Sequence, residues 1–517
     1  MIRSIFSVSA LTLVSRAIGF VRDMMLASVL GASAVSDAFN VAFRIPNHFR
    51  SIFAEGAFNA AFVPAFARVA AERGRDAALV FADRIFAYLL LAQLVLLGLA
   101  LVFMPTVVSL LAPGFAGDGV RFGLAVELTR ITFPYLAFIS LVVLIGGVLN
   151  AVGRFAAPAA TAILLNIAMI ATLLLAGHFP TAGHAVAWGV LISGVLQFVL
   201  VAADALRANV MLEFRLPKIT PEVKQFWATF VPAAAGSAGS QIAVFADTII
   251  ASFLVDGAIT WLYFADRMNQ LPIGVIAVAV GTVLLSEMSR RIAAGDETGA
   301  RHAQLRAIEL TLVFTLPAVA AFMIVPDTLM GALFVHGRFT AADALQSARA
   351  LSAYAFGLAA FVLIRSFTVT FHARGDTRTP VIAMVIAILI NIALKLVLMR
   401  PLGHVGLALA TGAGAWMNLI LLGWFARRQG LMGLDARARR VLPRLFLAFG
   451  ILAATLAAGS YALRAVLGTG VGADRLALVV LMGAGALAYG GTLVVLFGRE
   501  FLSDLKRLRR GMANGEG

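Results

Sequence analysis

Runs of about 20 apolar residues, the length a helix needs to cross a bilayer core, recur from one end of this 517-residue chain to the other. No polar stretch between them is long enough to bury a core of its own. The chain therefore reads as an all-α polytopic membrane protein. Its composition agrees: 61% of residues are hydrophobic and 13% charged, and the mean hydropathy of +0.95 lies far from that of a soluble domain. Arg3 precedes an apolar segment as in a signal peptide, but Arg16 interrupts that segment and no small-residue cleavage site follows. The segment is expected to stay as a first helix. There is no cysteine, which excludes disulfides, thiol catalysis and thiolate metal sites.

Turn residues and charges divide the chain into fourteen expected helices, near 4–31, 34–63, 78–111, 121–152, 157–177, 182–207, 222–254, 257–289, 303–325, 342–373, 378–399, 404–428, 440–466 and 474–498. Several exceed a bilayer's thickness, which implies tilt, kinks or protrusion. The net charge of +15 raises the question of a nucleic-acid partner, but the basic residues lie in short loops between apolar spans. With both termini in the cytoplasm, 27 of the 41 Lys and Arg fall on the cytosolic side and seven on the other. That is the asymmetry of the positive-inside rule, and no nucleic-acid partner is expected.

An internal repeat is visible. Asn150 to Pro158 reads NAVGRFAAP and His372 to Pro380 reads HARGDTRTP, sharing A-x-G-x-x-x-x-P. Each is followed by an apolar helix containing Asn-Ile-Ala, at Asn166 and Asn391. Earlier in each half, LLAPGF (Leu110 to Phe115) has a loose counterpart in LFVHGRF (Leu333 to Phe339). The expected organisation is two pseudo-symmetric six-helix lobes, 1–207 and 208–430, around a central cavity. Two further helices (431–498) and a basic cytoplasmic tail (499–517) complete it. Two lobes with an even number of helices are related by an axis along the membrane normal, which suits alternating access.

Seven basic residues fall inside the expected spans: Arg16, Arg22, Arg44, Arg50, Arg267, Arg365 and Lys395. An arginine near the bilayer centre costs about 3 kcal/mol on insertion scales. Arg16 is about 16 Å along its helix and Arg267 about 15 Å along its own, both near the middle of a core ~30 Å thick. Two readings stand side by side. The charges pair within the bundle, with Asp23, Asp37, Glu55 and Asp266 as partners, or they line a cavity that takes an anion. The excess of arginine favours the second, since the planar guanidinium fork suits phosphate or carboxylate. Lys395, near a helix end, is expected to snorkel.

Other classes find no support. The chain has no Gly-Lys pair, so no phosphate-binding loop for an ATP-driven pump. Its seven histidines are scattered without ligand spacing. Drug-cation exporters need acidic cavities, and here arginine dominates.

SRAIGFVRD (Ser15 to Asp23), DAFNVAFRIPNHFRSIFAEGAFNAAFVP (Asp37 to Pro64), YFADRMNQLPIGVIAVAVGTVLL (Tyr263 to Leu285) and GDTRTP (Gly375 to Pro380) closely resemble the MurJ (MviN) family, over essentially the whole chain. The resemblance implies a non-enzymatic lipid II flippase of the bacterial cytoplasmic (inner) membrane. It would carry the undecaprenyl-diphosphate-linked disaccharide-pentapeptide of peptidoglycan outward, within the multidrug/oligosaccharidyl-lipid/polysaccharide exporter superfamily. By the same resemblance the substrate-binding residues are Arg16, Arg22, Asp37, Arg50, Glu55, Asp266 and Arg267, and the two C-terminal helices line a groove for the lipid tail. Some members bind sodium; Asp247 and Asp376 would contribute here, though His372 stands where an amide or carboxylate is preferred. No organic cofactor is implied, and a monovalent cation or the membrane potential is the expected driving force. Membrane lipids and other cell-wall synthesis proteins are the expected partners. The rival readings are a flippase for another polyprenyl-linked oligosaccharide, of O-antigen or capsule type, and, further off, a multidrug antiporter.

Overall fold

A computed structural model describes residues 2–52, 58–433, 435–468 and 470–514. The described residues are helical through most of the expected segments, divided differently from the expected fourteen: 78–111, 121–152 and 257–289 each hold two α-helices, and 378–428 is a single element. The chain forms two compact units, one of residues 1–260 with 336–339, the other of residues 261–335 with 340–517.

The first unit holds α1 (Ile2–Leu30), α2 (Ala34–Ile52), α3 (Phe58–Arg73), α4 (Arg75–Val102), α5 (Met104–Leu111), α6 (Gly119–Thr132), α7 (Tyr135–Ala151), α8 (Ala156–Leu174), α9 (Ala182–Arg207) and α10 (Pro221–Ala251). Phe58, Phe62 and Phe81 of α3 and α4 meet Phe226 and Phe230 of α10 edge to face, with ring centroids 5.7 to 6.4 Å apart. Such contacts carry α10 into this packing unit. The lobe boundary expected at 207/208 concerns repeated topology and is a different division.

The second unit holds α11 (Ala258–Pro272), whose first three residues pack with the first unit, α12 (Val278–Ala293), α13 (Glu297–Ile324), α14 (Pro326–Phe334), α15 (Ala341–His372), α16 (Arg378–Arg428), α17 (Ala436–Leu467) and α18 (Val471–Asn514). Its core runs through Leu316, Phe367, Phe371, Leu422, Leu445 and Leu481. Two glycines mark backbone breaks near expected helix ends. Gly403 (φ 55°) divides α16 into two arms, and Gly498 (φ 56°) interrupts α18.

Among the described residues nine helices are long and apolar enough to cross a membrane, and Arg378–Arg428 is one of them. Outside that set lie α2, with Asp37, Arg44 and Arg50, and α11, which has 15 residues and carries Asp266 and Arg267. Both helices carry candidate site residues. Large apolar side chains such as Leu94, Leu174 and Val397 point outward, as lipid-facing surfaces do.

The repeated A-x-G-x-x-x-x-P segments share one backbone conformation. Gly153 (φ 81°) and Gly375 (φ 77°) both adopt the left-handed turn that glycine tolerates. The amides of Arg154 and Asp376 return to the carbonyls of Leu149 and Phe371, at 2.8 and 3.0 Å. These are the six-to-one bonds of a glycine-terminated helix. Pro158 and Pro380 then fall in the first turn of α8 and α16, where a missing N–H is harmless.

The looser pair also corresponds. Gly114 donates its amide to Ser252 Oγ at 3.0 Å, and a Cβ there would lie 2.4 Å from the Ser252 carbonyl. Beside Gly337, Arg338 donates its amide to the Ser28 carbonyl at 2.7 Å, and a Cβ on Gly337 would lie 2.3 Å from that oxygen. Each glycine lets its loop reach the backbone at a helix end, of α10 in one case and α1 in the other.

Candidate functional site

On α1 the two arginines of SRAIGFVRD part company. Arg16 is exposed and has no hydrogen-bond or ion-pair partner among the described residues. Arg22 is 6% exposed and bonded to Asp23, itself fully buried, through Nη2 at 2.6 Å and Nε at 3.1 Å. Its Nη1 donates to Asn166 Oδ1 at 2.9 Å, and Asn166 returns a bond to the Ser15 carbonyl at 3.0 Å. The pairing reading thus describes the environment of Arg22, and α8 closes the network. Asn166 stood out in the sequence only as part of the repeat.

Asp37, in the first turn of α2, is fully buried. It accepts from the Gly257 amide at 2.7 Å, the Thr260 amide at 3.0 Å and the Thr260 hydroxyl at 2.7 Å. Asn40 Nδ2 donates to the same hydroxyl oxygen at 3.3 Å. A carboxylate there satisfies amides that the start of α11 cannot bond internally, and it suits the positive end of the helix dipole. The partners lie 220 and 223 residues along the chain, so no local pattern could have announced them.

Further along α2, Arg44 donates to Thr248 Oγ1 of α10 at 2.7 Å. Half-buried Arg50 donates from Nε to Asn47 Oδ1 at 3.2 Å. Glu55 lies outside the described residues. In the second unit, Asp266 and Arg267 are half-buried on α11, and Asp266 accepts from Gln270 one turn on. Pro272 ends that helix, and a π-helical turn, Ile273–Ala277, follows. Such turns arise where the regular ladder is broken and are frequent at functional sites.

Among the described residues no group of three His, Cys, Asp or Glu side chains could hold a metal ion. Asp247 is half-buried on α10 in the first unit. Asp376, in the second, uses both carboxylate oxygens at the start of α16. They accept from the amides of Arg378 and Thr379 at 3.1 and 3.0 Å and from the Thr379 hydroxyl at 2.6 Å. Those bonds, the Thr379 hydroxyl first, hold its carboxyl below the usual aspartate range. Lys395 does not snorkel: it is 2% exposed, on a face of α16 packed inside the protein. Position near a helix end does not reveal which face is covered.

Arg16 and Arg50 in the first unit and Arg267 in the second are each exposed or half-buried, and the planar guanidinium fork of each suits an anionic partner.

Known proteins place the chain in a family. A family model described as "Lipid II flippase MurJ" matches residues 26–477. A "Probable lipid II flippase MurJ" of Rhizobium meliloti is 39% identical over 461 residues, covering 88% of this chain and 86% of its own. A "Lipid II flippase MurJ" of Burkholderia cenocepacia is 37% identical over 435 residues, covering 83% and 84%. Among solved structures, "Lipid II flippase MurJ, inward closed conformation" superposes with a TM-score of 0.81 at 26% identity, covering 96% of this chain and 99% of that one. An inward-facing multidrug resistance MATE transporter of the MOP superfamily shares the fold, with a TM-score of 0.68 at 17% identity over 80% and 94%. The chain is a multi-pass membrane protein, and it belongs to the lipid II flippase MurJ family.

Proposed function

We propose that this protein flips lipid II, the undecaprenyl-diphosphate-linked disaccharide-pentapeptide, from the cytoplasmic to the periplasmic leaflet of the bacterial inner membrane by alternating access. The observation that carries the reading is Arg16, an exposed arginine without an ion-pair partner among the described residues, on a helix whose other deep charges, Arg22 and Asp23, are paired with each other. A charge placed so is costly in lipid and is accounted for by a ligand of opposite sign. Arg16, Arg50 and Arg267 hold the diphosphate and its sugars. Arg22 keeps α1 in register with α8 through Asn166, and Asp37 fixes the start of the helix that carries Arg267. The polyprenyl tail stays in lipid beside α17 and α18, and both termini lie in the cytoplasm, as the loop charges favour.

The membrane potential is the driving force in this reading. An outward-moving negative charge gains about 2.3 kcal/mol per 100 mV when the interior is negative. Asp376 serves the start of α16 with both oxygens, which favours the potential over a cation held by Asp247 and Asp376. A flip rate indifferent to an imposed potential refutes this part.

The test of the whole is translocation of fluorescent lipid II in proteoliposomes, in parallel with a lipid-linked O-antigen unit, for wild type and Arg267→Ala. Movement of lipid II alone, lost in a variant that still inserts and folds, is the expected result. Movement of the other glycolipid instead, or full activity of Arg267→Ala, overturns it.

A further inference from the structure

A groove of ≈ 790 Å³ opens on the first unit where the α7–α8 turn meets the end of α9. Leu164 of α8 and Leu196 and Leu200 of α9 line it, and Ala160 and Ala203 leave room between them. One end is polar. Arg154 is fixed there by a two-pronged bond to Asp204, from Nε at 3.1 Å and from Nη2. Arg207, one turn beyond Asp204, is exposed and adds a second positive charge near that carboxylate. The start of α8 faces the same end. Its N-cap, Phe155, supplies no side-chain acceptor, the amides of Ala156 and Ala157 have no partner among the described residues, and Pro158 has no N–H.

We propose that this groove is a binding site for a phospholipid with an anionic headgroup. The phosphate rests between Arg207, the unused Nη1 of Arg154 and the first amides of α8, and an acyl chain follows the leucine-lined wall. Two arginines and a helix N-terminus face one carboxylate, so the site is electropositive. That carboxylate, Asp204, is already taken by Arg154 and is the only acidic residue lining the groove. A choline or ethanolamine headgroup would find no acceptor for its cation. The continuous apolar wall distinguishes the site from one for free phosphate.

The test is native mass spectrometry of the delipidated full-length protein, titrated with phosphatidylglycerol and, separately, phosphatidylcholine. Two variants accompany wild type. Arg207→Gln removes the exposed cation, and Ala160→Phe fills the groove while leaving the charges. Wild type is expected to retain phosphatidylglycerol in preference to phosphatidylcholine. Arg207→Gln should weaken that binding about fivefold, the worth of one basic residue at an anionic headgroup, and Ala160→Phe should abolish it. Equal retention of both lipids by wild type overturns the proposal. So does unchanged phosphatidylglycerol affinity in both variants, or displacement of the lipid by millimolar inorganic phosphate.

Discussion

Asp37 sits where the two readings of a charge in a membrane helix make opposite predictions. Its carboxylate accepts three bonds from Gly257 and Thr260 at 2.7 to 3.0 Å and is fully buried. Asp37→Asn keeps the volume and leaves one oxygen for the two Thr260 donors, but turns an amide NH2 toward the Gly257 N–H. One charge-assisted bond is lost and two donors meet. Each bond to a charged acceptor contributes about 1.5–3 kcal/mol, so the start of α11 should loosen by about 2 kcal/mol, roughly a 30-fold rise in local opening. Hydrogen–deuterium exchange of residues 257–260 in detergent or nanodiscs reads this directly. Ser36→Ala, which removes a hydroxyl 2.9 Å from Thr260 Oγ1, should give a smaller rise. Exchange unchanged in Asp37→Asn would refute the capping role, leaving Asp37 as a group that waits for substrate.

Other outcomes follow from the same geometry. Arg16→Ala should leave the melting temperature nearly unchanged, since exposed side chains without partners contribute within about 0.5 kcal/mol, yet should abolish lipid II translocation. Arg22→Ala should instead lower thermal stability by about 3–5 kcal/mol, because it removes the guanidinium paired with the buried Asp23 carboxylate together with the bond to Asn166. Gly337→Ala places a Cβ 2.3 Å from the Ser28 carbonyl at a φ of 57°; a loss of about 2 kcal/mol or more in a melting assay is expected, against no effect if the loop moves freely. Asp376→Ala should cost about 1 kcal/mol as a lost helix cap. Because its folded pKa is depressed, that contribution is present above the unfolded value of 3.8 and disappears as pH falls through the folded one. Melting against pH should therefore show a wild-type decline at the acid end that Asp376→Asn lacks.

The elements of this fold that the chain encodes locally were legible without the structure. Apolar runs, turn glycines and first-turn prolines placed the helices, because each is a property of a few adjacent residues. The two A-x-G-x-x-x-x-P turns are the clearest case, with identical bonding at Gly153 and Gly375. What depends on packing was not legible. Arg16 and Arg22 differ by six positions on one helix, yet one is exposed and the other is sealed against Asn166. Lys395 was expected to snorkel and is buried, because packing decides which face of a helix is covered. Asp37 was recognisable as an unusual charge, but its use by Gly257 and Thr260 joins residues that only the fold brings together.

The buried face of α16 bears on how the chain is made. Its first arm, up to the break at Gly403, carries Lys395, buried in the folded protein, one turn beyond Asn391 on the same face. Asn391 donates to the Ala410 carbonyl at 3.0 Å, and a Cβ on Gly406 or Gly414 would strike Leu398 or Asn391. Released alone into lipid, the first arm would present an ammonium group at a cost of about 3 kcal/mol. At a synthesis rate of about 5–20 residues per second the second arm follows within seconds. The insertion machinery therefore has reason to retain the first arm until its partner emerges and to let the pair enter the bilayer as a hairpin.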